Sequence, residues 1–192
     1  MIYGNAVLFL HINSYNSWLA DHLFLYITNL GDGFISYVLV LILLLFSFRE
    51  ALTFLSITLV IAILVTLLKR HFFPEFNRPV IYFEYFEVLR LVPGYDPPLL
   101  YTFPSGHTAT SISVFLYLSM LSKNSYLKFG MFCIATLISF SRVYLSAHFP
   151  LDVVVGSYIA VTITILGFYF SRRIEGSWIN KKIVFKPKIS IR

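Results

Sequence analysis

The sequence predicts an all-α integral membrane bundle of about five transmembrane helices, preceded by an N-terminal amphipathic helix at the membrane interface. Apolar residues make up 58% of the chain, and charged residues make up only 12%. Ordinary soluble domains carry roughly 25% charged residues, so a bilayer is the expected surrounding. The net charge of +6 is spread too thinly between apolar runs to suggest nucleic acid as a partner.

Five apolar runs are separated by short polar breaks and one long loop. The runs cover residues 34–48, 51–68, 108–121, 127–147 and 151–170. Crossing a hydrocarbon core of about 30 Å takes about 20 residues. The first and third runs are shorter than that. We expect them to extend backwards, the first through residues 31–33 and the third to Ser105.

The stretch before the first run, residues 1–30, carries too many polar side chains for a span. Its apolar side chains recur at helical spacing over residues 19–30, and Trp18 suits the depth of lipid headgroups. This segment is therefore predicted to be the interfacial amphipathic helix, lying on the outer face of the membrane.

The whole chain, residues 1–192, is predicted to form a single membrane domain with an asymmetric charge distribution. Five spans place ten of the fifteen Lys and Arg residues on one side and five on the other. The positive-inside rule assigns the side with ten, including the basic tail 171–192, to the cytoplasm. The long loop 69–107 then faces away from the cytoplasm.

A first polar cluster, Pro104-Ser105-Gly106-His107, opens the third apolar run. A serine at this position caps a helix, and glycine allows the backbone to approach a ligand closely. The free N–H groups at a helix N-terminus favour an anion. A plain helix start after a loop proline is the alternative interpretation.

A second cluster closes the fourth run and opens the fifth. It consists of Ser141-Arg142, then His148 and Asp152. A histidine and an aspartate four residues apart can hydrogen-bond, which fixes the imidazole tautomer and leaves the other ring nitrogen free as a nucleophile. If Arg142 and His148 only anchored helix ends in headgroups, Asp152 would have no explanation.

Further cations follow the second run, at Lys69, Arg70 and Arg78. Lysine presents a point charge, and arginine presents a planar fork that matches phosphate oxygens. Lys69 and Arg70 taken singly could be snorkelling anchors, whereas Arg78 lies beyond the end of the span.

Because successive spans alternate in direction, the cations, His107, His148 and Asp152 all lie at the same membrane face. This arrangement predicts a single site there. The site is expected to need no metal or other cofactor, because Lys and Arg already supply positive charge for a phosphate. The carboxylates of the long loop offer a weaker alternative, a divalent cation site. These carboxylates are Glu75, Glu84, Glu87 and Asp96.

The motifs resemble those of the type 2 phosphatidic acid phosphatase superfamily, which also includes the vanadium haloperoxidases. The family patterns P-S-G-H and S-R-x5-H-x3-D are complete here, at residues 104–107 and 141–152. The third pattern, K-x6-R-P, departs: Arg78-Pro79 match, but the lysine position holds His71. Lys69 is the preferred candidate for the role of this lysine, with Arg70 or His71 as the alternatives.

The resemblance implies a metal-independent phosphatase that forms a phosphohistidine. By analogy, His148 attacks phosphorus, Asp152 orients it, and His107 protonates the leaving oxygen and later activates water. The remaining motif residues would hold the phosphate oxygens. They are Lys69, Arg78, Ser105, Gly106 and Arg142.

Membrane members of this family act on phosphatidic acid, phosphatidylglycerol phosphate, polyprenyl diphosphates such as undecaprenyl diphosphate, or lipid A phosphates. The sequence therefore predicts a lipid phosphate as substrate and the bilayer as partner. The short chain with its simple tail suggests the inner membrane of a bacterium, with the site facing the periplasm and the C-terminus in the cytoplasm. A lipid phosphotransferase with the same phosphohistidine, or a non-catalytic lipid-binding or transport protein, are the alternatives.

Overall fold

The computed structural model describes residues 2–15, 17–84 and 89–174, and every regular element in these ranges is a helix. The α-helices are α1 (Ile2–Ser14), α2 (Trp18–Ile27), α3 (Gly33–Phe46), α4 (Phe48–Leu67), α5 (Pro79–Tyr82), α6 (Gly106–Leu121), α7 (Ser125–Tyr144) and α8 (Pro150–Arg173). A 3₁₀ turn (Thr28–Gly31) joins α2 to α3, and a π-helical turn (Leu68–Phe72) extends α4.

The all-helical membrane fold class is confirmed, but fewer helices than expected reach the length of a span. Among the described residues, three helices are long and apolar enough to cross a bilayer: Phe48–Phe72, Ser125–Tyr144 and Pro150–Arg173. A fourth span exists if Trp18–Gly31 and Gly33–Phe46, which meet at a bend of 54°, count as one. Helix α6 begins after Ser105, as expected, and has 16 residues.

The N-terminal stretch forms two helices rather than the single amphipathic helix expected. Helix α1 contacts α7 and α8, and α2 contacts α7. Phe9 is fully buried and packs on Phe83 and Phe149, with ring centroids 5.6 and 5.3 Å apart. Its interfacial position in the membrane stays a prediction. The basic tail lies outside the described residues beyond Ile174.

The main core lies between α3, α4, α6 and α8, with α6 in the centre. Its fully buried side chains include Phe54 of α4 and Tyr117 of α6, whose rings lie 4.9 Å apart. Small residues bring α6 and α8 together: Ala109 and Ala160 are both fully buried. A central, closely packed α6 fixes the position of its own N-terminus, where the P-S-G-H motif lies.

One glycine sets the distance between α8 and the start of α6. A Cβ built on Gly156 would lie 2.6 Å from the carbonyl oxygen of Ser105. The Ser105 amide in turn donates to the carbonyl of Asp152 at 3.0 Å. Ser105 and Asp152, from different motifs, are therefore joined through their main chains.

An ion-pair cluster joins the same helices at the opposite end of the bundle. Glu50 of α4 accepts hydrogen bonds from Arg172 of α8, at 2.6 and 2.9 Å, and from the Tyr117 hydroxyl of α6, at 2.7 Å. Arg49 donates to the Ser171 carbonyl at 2.5 Å. The bundle is thus tied at both ends, with the motifs at one of them.

Replacing Gly156 by alanine should lower the thermal unfolding temperature in detergent, because the methyl group would overlap backbone that has no room to move. Overpacking of this kind costs about 1–3 kcal/mol. Gly130→Ala is the matched control, since no atom lies within 4 Å of its Cβ position in the middle of α7. That change should stabilise the helix slightly. Equal melting temperatures for the two variants, measured by circular dichroism, would contradict the close contact.

Candidate active site

The candidate nucleophile, His148, lies in a tight turn between α7 and α8. The carbonyl of Arg142 accepts hydrogen bonds from the amides of Ala147 and His148, both at 3.0 Å. Ser146 takes a left-handed backbone conformation with φ of 58°, which is uncommon for residues other than glycine. The turn folds the His148 side chain into the protein, where it is 1% exposed.

One side of the His148 ring, its Nδ1 atom, faces two oxygen atoms. The Asp152 Oδ2 atom lies 3.3 Å away and the Thr102 hydroxyl 3.2 Å away. Thr102 donates its own proton to Asp152 Oδ2, so the Thr102 oxygen is left to accept from the imidazole. Asp152 Oδ2 also accepts from the amide of Phe149 at 2.9 Å, which fixes the carboxylate at the start of α8.

The other side of the ring, Nε2, faces the guanidinium of Arg78, whose Nη1 lies 3.2 Å away. Guanidinium nitrogens only donate hydrogen bonds, so Nε2 must be the acceptor and must carry a lone pair. The ring proton then resides on Nδ1, where Asp152 and Thr102 accept it. The surroundings therefore select the tautomer in which Nε2 carries the lone pair that a nucleophile needs.

Within the described residues, main-chain carbonyls and not carboxylates hold Lys69 and Arg78. Arg78 donates to the carbonyls of Leu100 and Ala147, both at 2.8 Å. Lys69, on the π-helical turn, donates to the Tyr101 carbonyl at 3.1 Å. Tyr101 presents this carbonyl from a left-handed conformation with φ of 57°. These hydrogen bonds orient the two cations but leave their charge largely unneutralised.

The P-S-G-H motif forms the N-terminus of α6. Ser105 is fully buried and caps the helix, with its oxygen 3.4 Å from the Thr108 amide and 2.9 Å from the Thr108 hydroxyl. His107 lies in the first turn, within electrostatic range of Arg142, Lys69 and Arg78. The helix start and the cations therefore favour negative charge at the same place.

The guanidinium of Arg142 is 2% exposed and is held from the loop and from the N-terminal segment. It donates to the Thr28 hydroxyl at 2.5 Å and to the Tyr95 hydroxyl at 2.9 Å. Its Nε atom is buried without a partner among the described residues. A buried arginine N–H without an acceptor is costly, so an anionic ligand would relieve it.

Burial and neighbouring charges both lower the pKa values of His148 and Arg78. Burial, the largest cause, lowers the pKa of His148 well below its usual value. Neighbouring groups lower it further, in the order Arg78, Lys69, Arg142 and His107. Burial also lowers the pKa of Arg78 to about 10, with Arg142 as the next cause, so Arg78 stays charged at neutral pH. The site thus combines a neutral imidazole with charged cations.

The structure brings most of the expected site residues together at one end of the bundle. Arg70 and His71, the alternatives to Lys69, lie on the same π-helical turn with exposed side chains. Neither of these two side chains makes a hydrogen bond or ion pair within the described part of the chain. Lys69 instead donates to the Tyr101 carbonyl, which also accepts from Arg78 Nη2 at 3.5 Å.

Sequence reasoning missed the residues that hold the motif side chains in place. Thr102 contacts both His148 and Asp152, and Tyr95 and Thr28 hold Arg142. Thr102 lies only two residues before the P-S-G-H motif, a proximity that could have singled it out. Tyr95 and Thr28 carry no spacing that connects them to the motifs.

Asn13 of α1 also supports the turn that carries His148. Its amide donates to the Ser146 hydroxyl and to the Arg90 carbonyl, both at 2.9 Å, and accepts from the Arg90 amide at 2.9 Å. Arg90 forms an ion pair with Asp21 at 2.5 Å. The N-terminal helices are therefore hydrogen-bonded to the candidate active site.

The alternative of a metal site in the long loop finds no support in its described carboxylates. Within residues 2–15, 17–84 and 89–174, no three His, Cys, Asp or Glu side chains are grouped as metal ligands. Glu87 lies outside the described residues. The expectation that the site needs no metal stays a prediction.

Comparison with known proteins gives one family and several relatives. A family model described as the PAP2 superfamily matches residues 50–175. A lipid A 4′-phosphatase of Porphyromonas gingivalis is 29% identical over 111 residues, which cover 56% of this chain and 47% of that protein. The match therefore spans about half the length of this curated relative.

Two solved structures share the fold. The crystal structure of Aquifex aeolicus LpxE has a TM-score of 0.74 and 31% identity, covering 84% of this chain and 93% of that one. A transmembrane PAP2 type phosphatidylglycerolphosphate phosphatase from Bacillus subtilis has a TM-score of 0.56 and 22% identity, covering 90% and 87%. The second similarity concerns the fold alone.

Lowering the pH tests the environment of His148. Its lowered pKa means that the ring should stay neutral, with the proton on Nδ1, as the pH falls through the usual imidazole value of about 6.5. The unfolded chain takes up a proton there, so stability should fall below that pH by at most about 1.4 kcal/mol per unit. ¹⁵N NMR of histidine-labelled protein measures the tautomer, with His148→Gln as the assignment control. A resonance of the Nε2–H tautomer would contradict the geometry.

Proposed function

Because the chain belongs to the PAP2 superfamily, we propose that it is an integral membrane phosphatase that removes a phosphate group from a lipid by way of a phosphohistidine. The observation that carries this proposal is the contact between Arg78 Nη1 and His148 Nε2 at 3.2 Å. It gives the nucleophilic atom a lone pair and a cation beside it, which is where a phosphate oxygen would bind.

In the first step, His148 Nε2 attacks phosphorus while the bond from phosphorus to the lipid oxygen breaks. His107 gives its proton to that oxygen, so the lipid alcohol leaves neutral. Arg78 exchanges its hydrogen bond to Nε2 for one to a phosphate oxygen. The proton on Nδ1 stays between the ring and Asp152, which stabilises the positive charge that develops on the imidazole.

In the second step, water attacks the phosphorus of the phosphohistidine and gives one proton to His107. The phosphorus–nitrogen bond breaks, its electron pair returns to Nε2, and inorganic phosphate leaves. Lys69, Arg142 and the α6 N-terminus at Ser105 and Gly106 hold the phosphate oxygens through both steps. Such fixed donors stabilise the charge of the transition state and need no rearrangement.

We place the protein in the inner membrane of a bacterium, with the site facing the periplasm and the C-terminus in the cytoplasm. The charge distribution supports this orientation. Basic side chains at the end opposite the site include Arg49, Lys128 and Arg172. The positive-inside rule assigns that end to the cytoplasm.

Among the lipid phosphates that the family handles, the lipid A phosphates deserve the first assay, since the Porphyromonas gingivalis relative is named a lipid A 4′-phosphatase. Phosphatidylglycerol phosphate, another lipid phosphate on which membrane members of the family act, is the second substrate to assay. Water as the acceptor distinguishes a phosphatase from a phosphotransferase, so free phosphate is the product to measure.

Replacing His148 by alanine should reduce phosphate release from lipid A or phosphatidylglycerol phosphate by about 10³-fold or more, because it removes the nucleophile. Release of inorganic phosphate by purified protein in detergent, with EDTA present, is the measurement. His22→Ala is the control, because that histidine is exposed on α2 and bonds only to its own helix.

An active His148→Ala variant would overturn the mechanism. A wild-type protein that loses activity when EDTA is added would instead point to a metal in the loop. Transfer of phosphate to an added alcohol without release to water would favour the phosphotransferase.

Lys69→Ala should lower kcat/KM by about 10–100-fold, since its ammonium would bind a phosphate oxygen in the transition state. Arg70→Ala should change it by no more than about twofold, because an exposed charge in water contributes little. The two variants, assayed side by side at fixed lipid concentration, test which cation replaces the lysine of the family pattern. A larger loss in Arg70→Ala would transfer that role to Arg70.

A further inference from the structure

A hydroxyl-lined pocket of about 190 Å³ lies directly beneath His107, between α3, α4 and α6. We call it the hydroxyl pocket. Its wall carries an unusual number of hydroxyl side chains for a site among membrane helices. They are Ser36, Thr58, Thr66, Thr110 and Ser113.

Two of these hydroxyls lack hydrogen-bond partners. Ser36 is 1% exposed, and within the described part of the chain neither its oxygen nor that of Thr58 has a partner. Ser113, by contrast, donates to the Thr110 carbonyl at 2.9 Å. A buried hydroxyl without a partner costs about 1–3 kcal/mol, so a ligand that offered hydrogen bonds to these two would be bound more tightly than one that did not.

The position of the pocket relates it to the leaving group of the proposed reaction. In an in-line displacement, the leaving oxygen is opposite the attacking nitrogen of His148, on the side where His107 delivers its proton. The rest of the lipid alcohol must continue away from phosphorus on that side. His107 itself lines the hydroxyl pocket, so the alcohol would enter it.

The depth of the pocket suits the polar part of a lipid. Ser113 lies six residues after His107 on α6, about 9 Å further along the helix axis at 1.5 Å per residue. Ester carbonyls or sugar hydroxyls occupy this distance between a phosphate and its acyl chains. Exposed Tyr37 and Thr66 line the pocket where it faces the lipid, so the chains themselves could remain in the bilayer.

We propose that the hydroxyl pocket binds the oxygen-bearing linkage of the leaving group, so that the substrate is the phosphate of an acylated glycerol or an acylated sugar. This inference rests on the proposed function and narrows its substrate class. Ser36 and Thr58 would bond the carbonyl or hydroxyl oxygens of that linkage. A prenyl diphosphate, whose chain is hydrocarbon, would leave both hydroxyls unpaired and is selected against.

The test compares three substrates in mixed micelles: diacylglycerol phosphate, an acylated glucosamine phosphate, and hexadecyl phosphate, whose chain carries no other oxygen. The variants are Ser36→Ala, Thr58→Val and the double variant. Thr164→Val is the matched control, because Thr164 is also buried without a partner but lies on α8, outside the pocket. The readout is kcat/KM for phosphate release.

In the wild-type protein, kcat/KM should be about tenfold or more higher for the acylated substrates than for hexadecyl phosphate. In the double variant, kcat/KM for the acylated substrates should fall about tenfold. Its activity on hexadecyl phosphate should change by no more than about twofold. The acylated substrate for which kcat/KM falls further in the double variant identifies whether the pocket binds ester carbonyls or sugar hydroxyls. Thr164→Val should leave the preference intact.

An equal loss on all three substrates would overturn the proposal, because a pocket that held only water would act on every substrate alike. Unchanged selectivity in the double variant would overturn it as well. Failure of the proposed function gives a different result, since the wild-type protein would then release no phosphate from any of the three.

Discussion

Positive charge that no carboxylate pairs with, among the residues that the structure describes, is the constraint on which this structure depends. Lys69 and Arg78 donate to main-chain carbonyls, and Arg142 donates to two hydroxyls. The carboxylate of Asp152 is occupied by the imidazole, Thr102 and its own helix. Burying cations without counterions is expensive, so the surrounding fold must supply the stability. It does so through α6 and α8, packed against each other and tied at both ends.

Two residues next to the candidate site have backbone in an uncommon conformation. Tyr101 and Ser146 both have left-handed φ values, of 57° and 58°, although neither is glycine. Strain of this kind persists only where neighbouring structure enforces it. For Ser146 that structure is Asn13 of α1, a residue outside the part of the chain that matches the family model. The N-terminal segment therefore helps to hold the turn that carries His148.

The sequence was sufficient to predict the helical membrane fold class and to single out motif residues that the structure brings together. It was sufficient because charged groups among apolar runs have few explanations other than a site. Tyr95 and Asn13 could not be predicted, since the residues they bond, Arg142 and Ser146, lie 47 and 133 positions away in the sequence. Thr102 had a signal, its place two residues before the P-S-G-H motif. The bounds of α6 were predicted, since it follows Ser105 and ends at Leu121 as expected, but at 16 residues it stays shorter than the about 20 residues of a span.

The hydrogen bond from Arg78 to His148 has a consequence for which molecules can react. The same lone pair that would attack phosphorus accepts this hydrogen bond, so the guanidinium must turn to a better acceptor before the nitrogen can react. A phosphate dianion offers such an acceptor, whereas an uncharged electrophile does not. Discrimination between anionic and neutral reagents therefore follows from one hydrogen bond.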